Sequence, residues 1–231
     1  MEAIVLAGGF GTRLRHVVSN VPKPMAPMND AGKPFLEVLL TQLAGQGVEH
    51  VVLSTGYMSE VIEQYFGKTF AGMKLEYSVE DTPLLTGGAV KMALERCTEP
   101  DIFVLNGDTY FAVDLSAMLA HHRARHADFT IAVKHMHDFE RYGTVVYDES
   151  GIQAFHEKAP CHDGWINGGV YCLQRHVLEK VTATKFSLEK DFLEQKIDEI
   201  DLQAFPAEGY FIDIGVPEDY YKARKMFQGE L

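Results

Sequence analysis

The chain reads as an α/β fold, and three observations predict it. Short apolar runs recur, as at Ala3–Leu6, Val51–Leu53 and Ile102–Leu105. Segments with helical apolar spacing lie between them, the alternation expected of a sheet flanked by helices. Glycines cluster where a run gives way to a helix, first at Leu6-Ala7-Gly8-Gly9-Phe10-Gly11-Thr12-Arg13-Leu14. A glycine there lets a ligand approach bare backbone, and a helix N-terminus brings N–H groups and partial positive charge. Arg13 adds a planar charged fork that matches phosphate oxygens. This is not a Walker A loop, because no Gly-Lys-Ser/Thr follows. It is a poor dinucleotide fingerprint too, with Leu14 where a third glycine should fall.

Composition bounds the function. With 231 residues the chain forms one domain with a substantial core. A net charge of −12 excludes a broad basic surface for nucleic acid or acidic lipid. A polyanionic ligand must therefore be met by local cations, helix ends and a metal ion. Cys97, Cys161 and Cys172 fit neither a disulfide framework nor a zinc site, which points to a reducing, cytoplasmic setting. There is no signal-peptide pattern and no membrane-length apolar run.

The remaining elements follow in order. Leu14, Val17 and Val18 form one face of a first helix. The loop Val21-Pro22-Lys23-Pro24-Met25-Ala26-Pro27 is stiffened by its prolines, so Lys23 is presented from a constrained backbone. Pro34 opens a helix buried through Phe35, Leu36, Leu39, Leu40 and Leu43. Ser59 is placed to cap the next helix, and Leu75–Val79 alternates as a strand. Glu80 precedes Thr86-Gly87-Gly88-Ala89, a second glycine-softened helix start where a flat ligand has room. The apolar strand at 101–105 ends in Asn106-Gly107-Asp108. Ligands in open α/β sheets lie beyond the carboxyl ends of strands, so Asp108 stands where a hard cation such as Mg²⁺ is held.

Asp114 caps a helix carrying His121, His122 and His126. A solvated helix face is the preferred reading of those histidines over a metal pair. Strands follow at 129–134, 144–147, 151–155 and 169–173. Tyr142-Gly143, Glu157-Lys158 and the turn Asn167-Gly168-Gly169 stand at their ends. Ser187 caps a helix with Leu188, Phe192, Leu193 and Ile197. Residues 201–206 and 209–214 read as the last strands, and Pro217 starts the final helix. Asp213 lies in the apolar run Phe211–Ile214, so its carboxylate needs a metal or a donor.

Taken together, Leu6–Leu14, Pro22–Met25, Pro83–Ala89, Asn106-Gly107-Asp108, Tyr142–Val145, Glu157-Lys158, Asn167-Gly168-Gly169 and Asp213-Ile214-Gly215 resemble the sugar-phosphate nucleotidyltransferases. The resemblance runs along essentially the whole chain. Within that family it is greatest to the group acting on D-glycero-α-D-manno-heptose 1-phosphate with GTP. One departure is Leu85, where the family usually has glycine.

The resemblance implies a three-layer Rossmann-like fold with a mostly parallel mixed central sheet. It implies a nucleotide-binding half over about 1–110 and a sugar-phosphate-binding half over about 111–231. It also implies transfer of a nucleotidyl group to a sugar 1-phosphate with release of pyrophosphate. Arg13, Lys23, Asp108 and Asp213 would be catalytic, with Mg²⁺ held by Asp108 and Asp213. Nucleotide contacts would come from Leu6, Ala7, Gly8, Gly9, Gly11, Thr12, Arg13, Lys23, Glu80, Thr86, Gly87, Gly88, Asn106 and Gly107. Sugar-phosphate contacts would come from Tyr142, Gly143, Glu157, Lys158, Asn167 and Gly168. Glu80 is the expected reader of guanine N1–H and N2–H₂. The partners implied are GTP and a sugar 1-phosphate, not nucleic acid or membrane, with homo-oligomerisation left open. The same chemistry on mannose 1-phosphate or with UTP, and a nucleotide-binding regulator without turnover, are the alternatives.

Overall fold

The apolar run at the start of the chain is the strand from which the sheet is built, β1 (Glu2–Leu6). It is seen in a computed structural model that describes residues 1–9, 14, 17, 18 and 21–228. A 3₁₀ turn at Lys23–Met25 leads to α1 (Phe35–Gly45), β2 (His50–Thr55) and α2 (Ser59–Phe66). A hairpin of β3 (Thr69–Phe70) and β4 (Met73–Val79) precedes α3 (Leu85–Leu94) and β5 (Asp101–Asn106). Then come β6 (Thr109–Phe111), α4 (Leu115–Ala124), β7 (Phe129–Phe139), β8 (Thr144–Asp148), β9 (Gly151–His156) and β10 (Cys161–Gln174). A π-helical segment at Leu188–Leu193, β11 (Leu202–Pro206), β12 (Phe211–Asp213) and α5 (Pro217–Phe227) complete the described chain.

The main sheet runs β11-β7-β10-β5-β1-β2-β4-β3, with β8 and β9 branching from β10. Strands β5, β1, β2 and β4 are parallel neighbours, whereas β10 is antiparallel to both β5 and β7. The strands split their side chains between two faces, as period-two geometry demands. Ala3, Val5, Val51, Leu53, Phe103 and Leu105 join one core with α1, α2, α4 and α5. Ile4, Val52, Ile102 and Val104 join the other with α3 and the π-helical segment. Both faces are covered, so the three-layer α/β expectation holds. These strands read as continuous apolar runs because no face meets water.

Several local expectations are corrected. Ser59 is the first residue of α2, and the cap position is Met58, in the left-handed region (φ 56°) without a side-chain cap bond. Asp114 does cap α4, accepting from Ala117 N–H, and Ser187 caps the π-helical segment through Lys190 N–H. His122 is buried rather than solvated. Its Nδ1 lies 2.8 Å from Thr130 Oγ1, and burial lowers its pKa. Strand β10 is far longer than 169–173, and Asn167-Gly168-Gly169 is a bulge inside it rather than a turn. The helix expected after the first glycine loop falls on residues largely outside those described.

Leu85 opens α3 with φ +62°, a left-handed conformation that suits glycine and costs a side-chain-bearing residue about 1–2 kcal/mol. The position that departs from the family pattern is thus one where glycine relieves strain. Leu85→Gly should therefore be more stable than Leu85→Ala by about 1 kcal/mol, a difference of about 2–4 °C in thermal midpoint for a chain of this size. Equal midpoints for the two variants would show that the left-handed backbone is not retained in solution.

Candidate active site

Parallel strands β1 and β5 end side by side, with Leu6 paired to Asn106. Immediately after β5, Gly107 N–H donates to Leu6 C=O at 2.9 Å. The contact is so close that a Cβ on Gly107 would sit 2.5 Å from that oxygen. This turn releases Asp108 just before β6. Strand β12 then pairs antiparallel with β6 and sets Asp213 opposite Thr109. A short ribbon, made across a hundred residues of sequence, thereby brings the two predicted metal ligands together.

Lys23 stands between them. Its Nζ lies 2.6 Å from Asp108 Oδ2 and 3.8 Å from Asp213 Oδ1. The lysine side chain is 9% exposed and that of Asp213 23%. Burial raises the Asp213 pKa above its ordinary value, and the neighbouring Asp108 adds to the rise; Lys23, the Gly215 N–H and Arg141 oppose it. Gly215 N–H donates to Asp213 Oδ1 at 2.6 Å, and Thr109 Oγ1 donates to Asp108 Oδ1 at 3.2 Å. The two carboxylates offer the oxygen donors that a hard divalent ion takes, and Lys23 is the cation that neutralises them here. The residues therefore fit Mg²⁺.

A cavity of about 380 Å³ opens on one side of this cluster. Leu6 lines it from the end of β1 and Gly8 and Gly9 from just beyond it, Lys23 from the proline loop, Glu80 and Thr86 from the β4–α3 segment, Asn106 from the end of β5 and Asp108 from the turn that follows. Glu80 Oε2 accepts from Leu84 N–H at 2.8 Å, while Oε1 has a weak 3.5 Å bond from Ser54 Oγ. One carboxylate oxygen is thus committed to the turn and the other is held only weakly, in a residue that lines the cavity. Ala7, Gly87, Gly88 and Gly107 do not line it. A Cβ on Gly87 would meet the Phe186 ring at 2.3 Å and one on Gly88 the Thr184 carbonyl at 2.3 Å, so these glycines serve close packing. Gly11, Thr12 and Arg13 lie outside the described residues.

A second cavity, of about 240 Å³, is lined by Tyr142, Gly143, Glu157, Lys158 and Asn167. Burial and then Asp213 push the Tyr142 pKa up to about 12, so it stays a neutral donor. Glu157 is paired with Lys190 at 2.6 Å, which lowers its pKa. Asn167 Nδ2 donates to Tyr171 Oη at 3.0 Å, and its Oδ1 accepts from Gly169 N–H. Gly168 faces away from the cavity, packed so that a Cβ would lie 2.4 Å from the Phe111 ring.

Asn106 and Glu189 line both cavities. Sequence reasoning missed Glu189, along with Lys190, Tyr171 and Ser54. Glu189 Oε2 accepts from Thr86 Oγ1 at 2.8 Å, and Oε1 accepts from Tyr171 Oη at 3.0 Å. A hydrogen-bonded chain therefore runs from Thr86 in the first cavity through Glu189 and Tyr171 to Asn167 in the second. The local signal at Glu189 was a capped helix start, which reveals nothing about a partner 103 residues away. Ser54 did end an apolar strand, the same signal that marked Asn106.

Two cavities that share Asn106 and Glu189, the first of them lined by Lys23 and Asp108, lie beyond the carboxyl ends of the parallel strands, where α/β enzymes bind their ligands. The chain belongs to the nucleotidyl transferase family, whose model matches residues 2–229. It is 48% identical over 229 residues to the D-glycero-alpha-D-manno-heptose 1-phosphate guanylyltransferase of Aneurinibacillus thermoaerophilus, covering 99% of both chains. It is 44% identical over 223 residues to that of Campylobacter jejuni, covering 96% of this chain and 97% of the relative. The crystal structure of HddC from Yersinia pseudotuberculosis complexed with GMP-PN superposes with a TM-score of 0.88 at 37% identity, covering 98% and 99% of the two chains.

Proposed function

We propose that this chain transfers the guanylyl group of GTP to D-glycero-α-D-manno-heptose 1-phosphate, giving GDP-heptose and pyrophosphate. The observation that carries the reading is a pair of cavities that share Asn106 and Glu189, the first of them lined by Lys23 and Asp108, with Asp213 beside that lysine. Two phosphorylated reactants must approach one another there, and their mutual repulsion has to be neutralised. Identity of 48% and 44% over nearly full length to two heptose 1-phosphate guanylyltransferases supports the choice of substrates.

The sugar-phosphate oxygen attacks the α-phosphorus, the bond from that phosphorus to the bridging oxygen breaks, and pyrophosphate leaves. The Gly8–Gly9 backbone, with Gly11, Thr12 and Arg13 of the same loop, cradles the triphosphate. Lys23 neutralises charge on the transferring group. Asp108 and Asp213 hold Mg²⁺, which supplies further charge neutralisation when bound. Positioning by fixed charges supplies most of the acceleration, as in other phosphoryl transfers. Among the described residues no helix is long and apolar enough to cross a membrane.

The test is pyrophosphate release across the common nucleoside triphosphates and a panel of sugar 1-phosphates. GTP with the heptose phosphate should be used best. Preference for mannose 1-phosphate or UTP would replace the substrates but keep the chemistry, and no release with any pair would leave a binding module. Glu80→Gln should lower the preference for GTP over ATP by about tenfold or more, the worth of one hydrogen bond to a charged acceptor. An unchanged nucleotide profile would remove Glu80 from base reading. Lys158→Ala should raise KM for the sugar phosphate about 10–100-fold with KM for GTP unmoved. A change confined to GTP would reassign Lys158.

A further inference from the structure

Strands β7 and β10 continue as a pair toward the Phe139 and Cys161 ends, and His137 stands opposite Asp163 there, with His135 opposite Trp165. Residues two apart on a strand share a face, so the two imidazoles and the cross-strand carboxylate converge. His137 Nδ1 lies 2.7 Å from Asp163 Oδ1, and His135 Nε2 lies 3.3 Å from the same oxygen. One donor atom from each of the three residues falls within 4.8 Å of the other two. None of the three lines either substrate cavity.

We infer that His135, His137 and Asp163 form a second metal site, for a borderline divalent transition ion of the Zn²⁺ or Ni²⁺ kind. Imidazole nitrogen suits these ions, whereas Mg²⁺ seeks oxygen. With metal–ligand bonds of about 2.0–2.1 Å, the ligands of a tetrahedral ion lie about 3.3 Å apart, close to the separations here. Three protein ligands leave positions for water, and the exposed His137 and Asp163 give the ion a way in. Asp163 is four residues from Asn167 along β10, roughly 13 Å at strand rise. An ion there ties β7 to β10 outside the reaction centre rather than taking part in the transfer.

The competing account is a carboxylate accepting hydrogen bonds from two imidazoles with no ion, and the structure provides a reporter that separates the two. Trp165 is the chain's one tryptophan, and its ring centroid is 4.8 Å from that of His135. Ni²⁺ added to the tag-free full chain should quench Trp165 emission saturably at one ion per chain. Zn²⁺ should compete and restore emission, and excess Mg²⁺ should not. His137→Ala and Asp163→Asn should each raise the Ni²⁺ midpoint about tenfold or more, while His176→Ala, at an exposed imidazole just beyond the far end of β10 and outside the cluster, leaves it unmoved. His137 is exposed and its ring packs edge-on against His135, so its removal leaves the contact between His135 and Trp165 in place. Pyrophosphate release should be unchanged in His137→Ala. Absence of saturable quenching, or an unchanged midpoint in His137→Ala, overturns the site.

Discussion

Asp108→Asn is expected to lower pyrophosphate release at saturating Mg²⁺ by about two orders of magnitude or more, with the thermal midpoint little changed. The factor is that of removing one fixed charge partner from a preorganised phosphoryl-transfer site. Asn keeps the size of the side chain and an oxygen to accept from Thr109 Oγ1, so the turn after β5 persists. It loses the charge that holds Lys23 at 2.6 Å and completes the oxygen donor pair with Asp213. Half-saturating Mg²⁺ should rise as well, which separates a metal role from mere positioning of Lys23. Turnover within tenfold of the parent, at an unchanged Mg²⁺ requirement, would remove Asp108 from the metal site.

The contrast between Asp108 and Glu189 shows what local sequence carries and what it does not. Asp108 was legible because an apolar strand that stops at Asn-Gly-Asp places its last residues at the carboxyl edge of a sheet. The same logic found Asn106, while the glycine cluster that follows β1 marked Gly8, and short apolar runs marked β1, β2 and β5. Asp213 was legible for a different reason, as a lone carboxylate in an apolar run. Its meeting with Asp108 depends on the pairing of β12, which lies within the strand expected at 209–214, with β6, a strand of three residues that the sequence did not reveal.

Glu189 was hidden because a π-helical segment, rather than a regular helix, aims it at Thr86 and Tyr171. Strand β10 was misread for a related cause. In its Cys161–Ile166 portion only Ile166 is fully buried, with His162 and Asp163 exposed and the rest half-buried, so the apolar alternation that reveals a half-buried strand is missing. Gly168 and Gly169 mimic a turn where the structure has a bulge. Gly87 and Gly88 mimic a ligand-binding loop, yet the ring of Phe186 and the carbonyl of Thr184 occupy the space that their missing side chains leave. A glycine pair signals close approach by something, and only the fold says by what.

Asp213→Asn should move activity and stability in opposite directions. Turnover should fall by about two orders of magnitude or more, as for Asp108. The metal-free variant should nonetheless melt above the parent at neutral pH. In the folded chain burial and then Asp108 hold the Asp213 carboxyl above its ordinary value of 3.8, against Lys23, Gly215 N–H and Arg141. The folded state thus binds this proton more tightly than the unfolded state. The resulting stabilisation is fully present below the unfolded pKa and is lost as pH rises through the raised folded value. At neutral pH the parent bears that loss, and Asn, which cannot ionise, does not; Asn still accepts from Gly215 N–H. Each kcal/mol recovered corresponds to about 2–4 °C in a chain of this size. The advantage should shrink as pH falls through the raised value, where the parent carboxyl becomes neutral too. Mg²⁺ should invert the order at neutral pH, stabilising the parent and leaving the variant almost unmoved. Melting curves at two pH values, with and without Mg²⁺, measure all of this. A metal-free variant that melts below the parent at neutral pH would mean that Lys23 outweighs burial and Asp108, and that Asp213 is held there for stability rather than for the reaction.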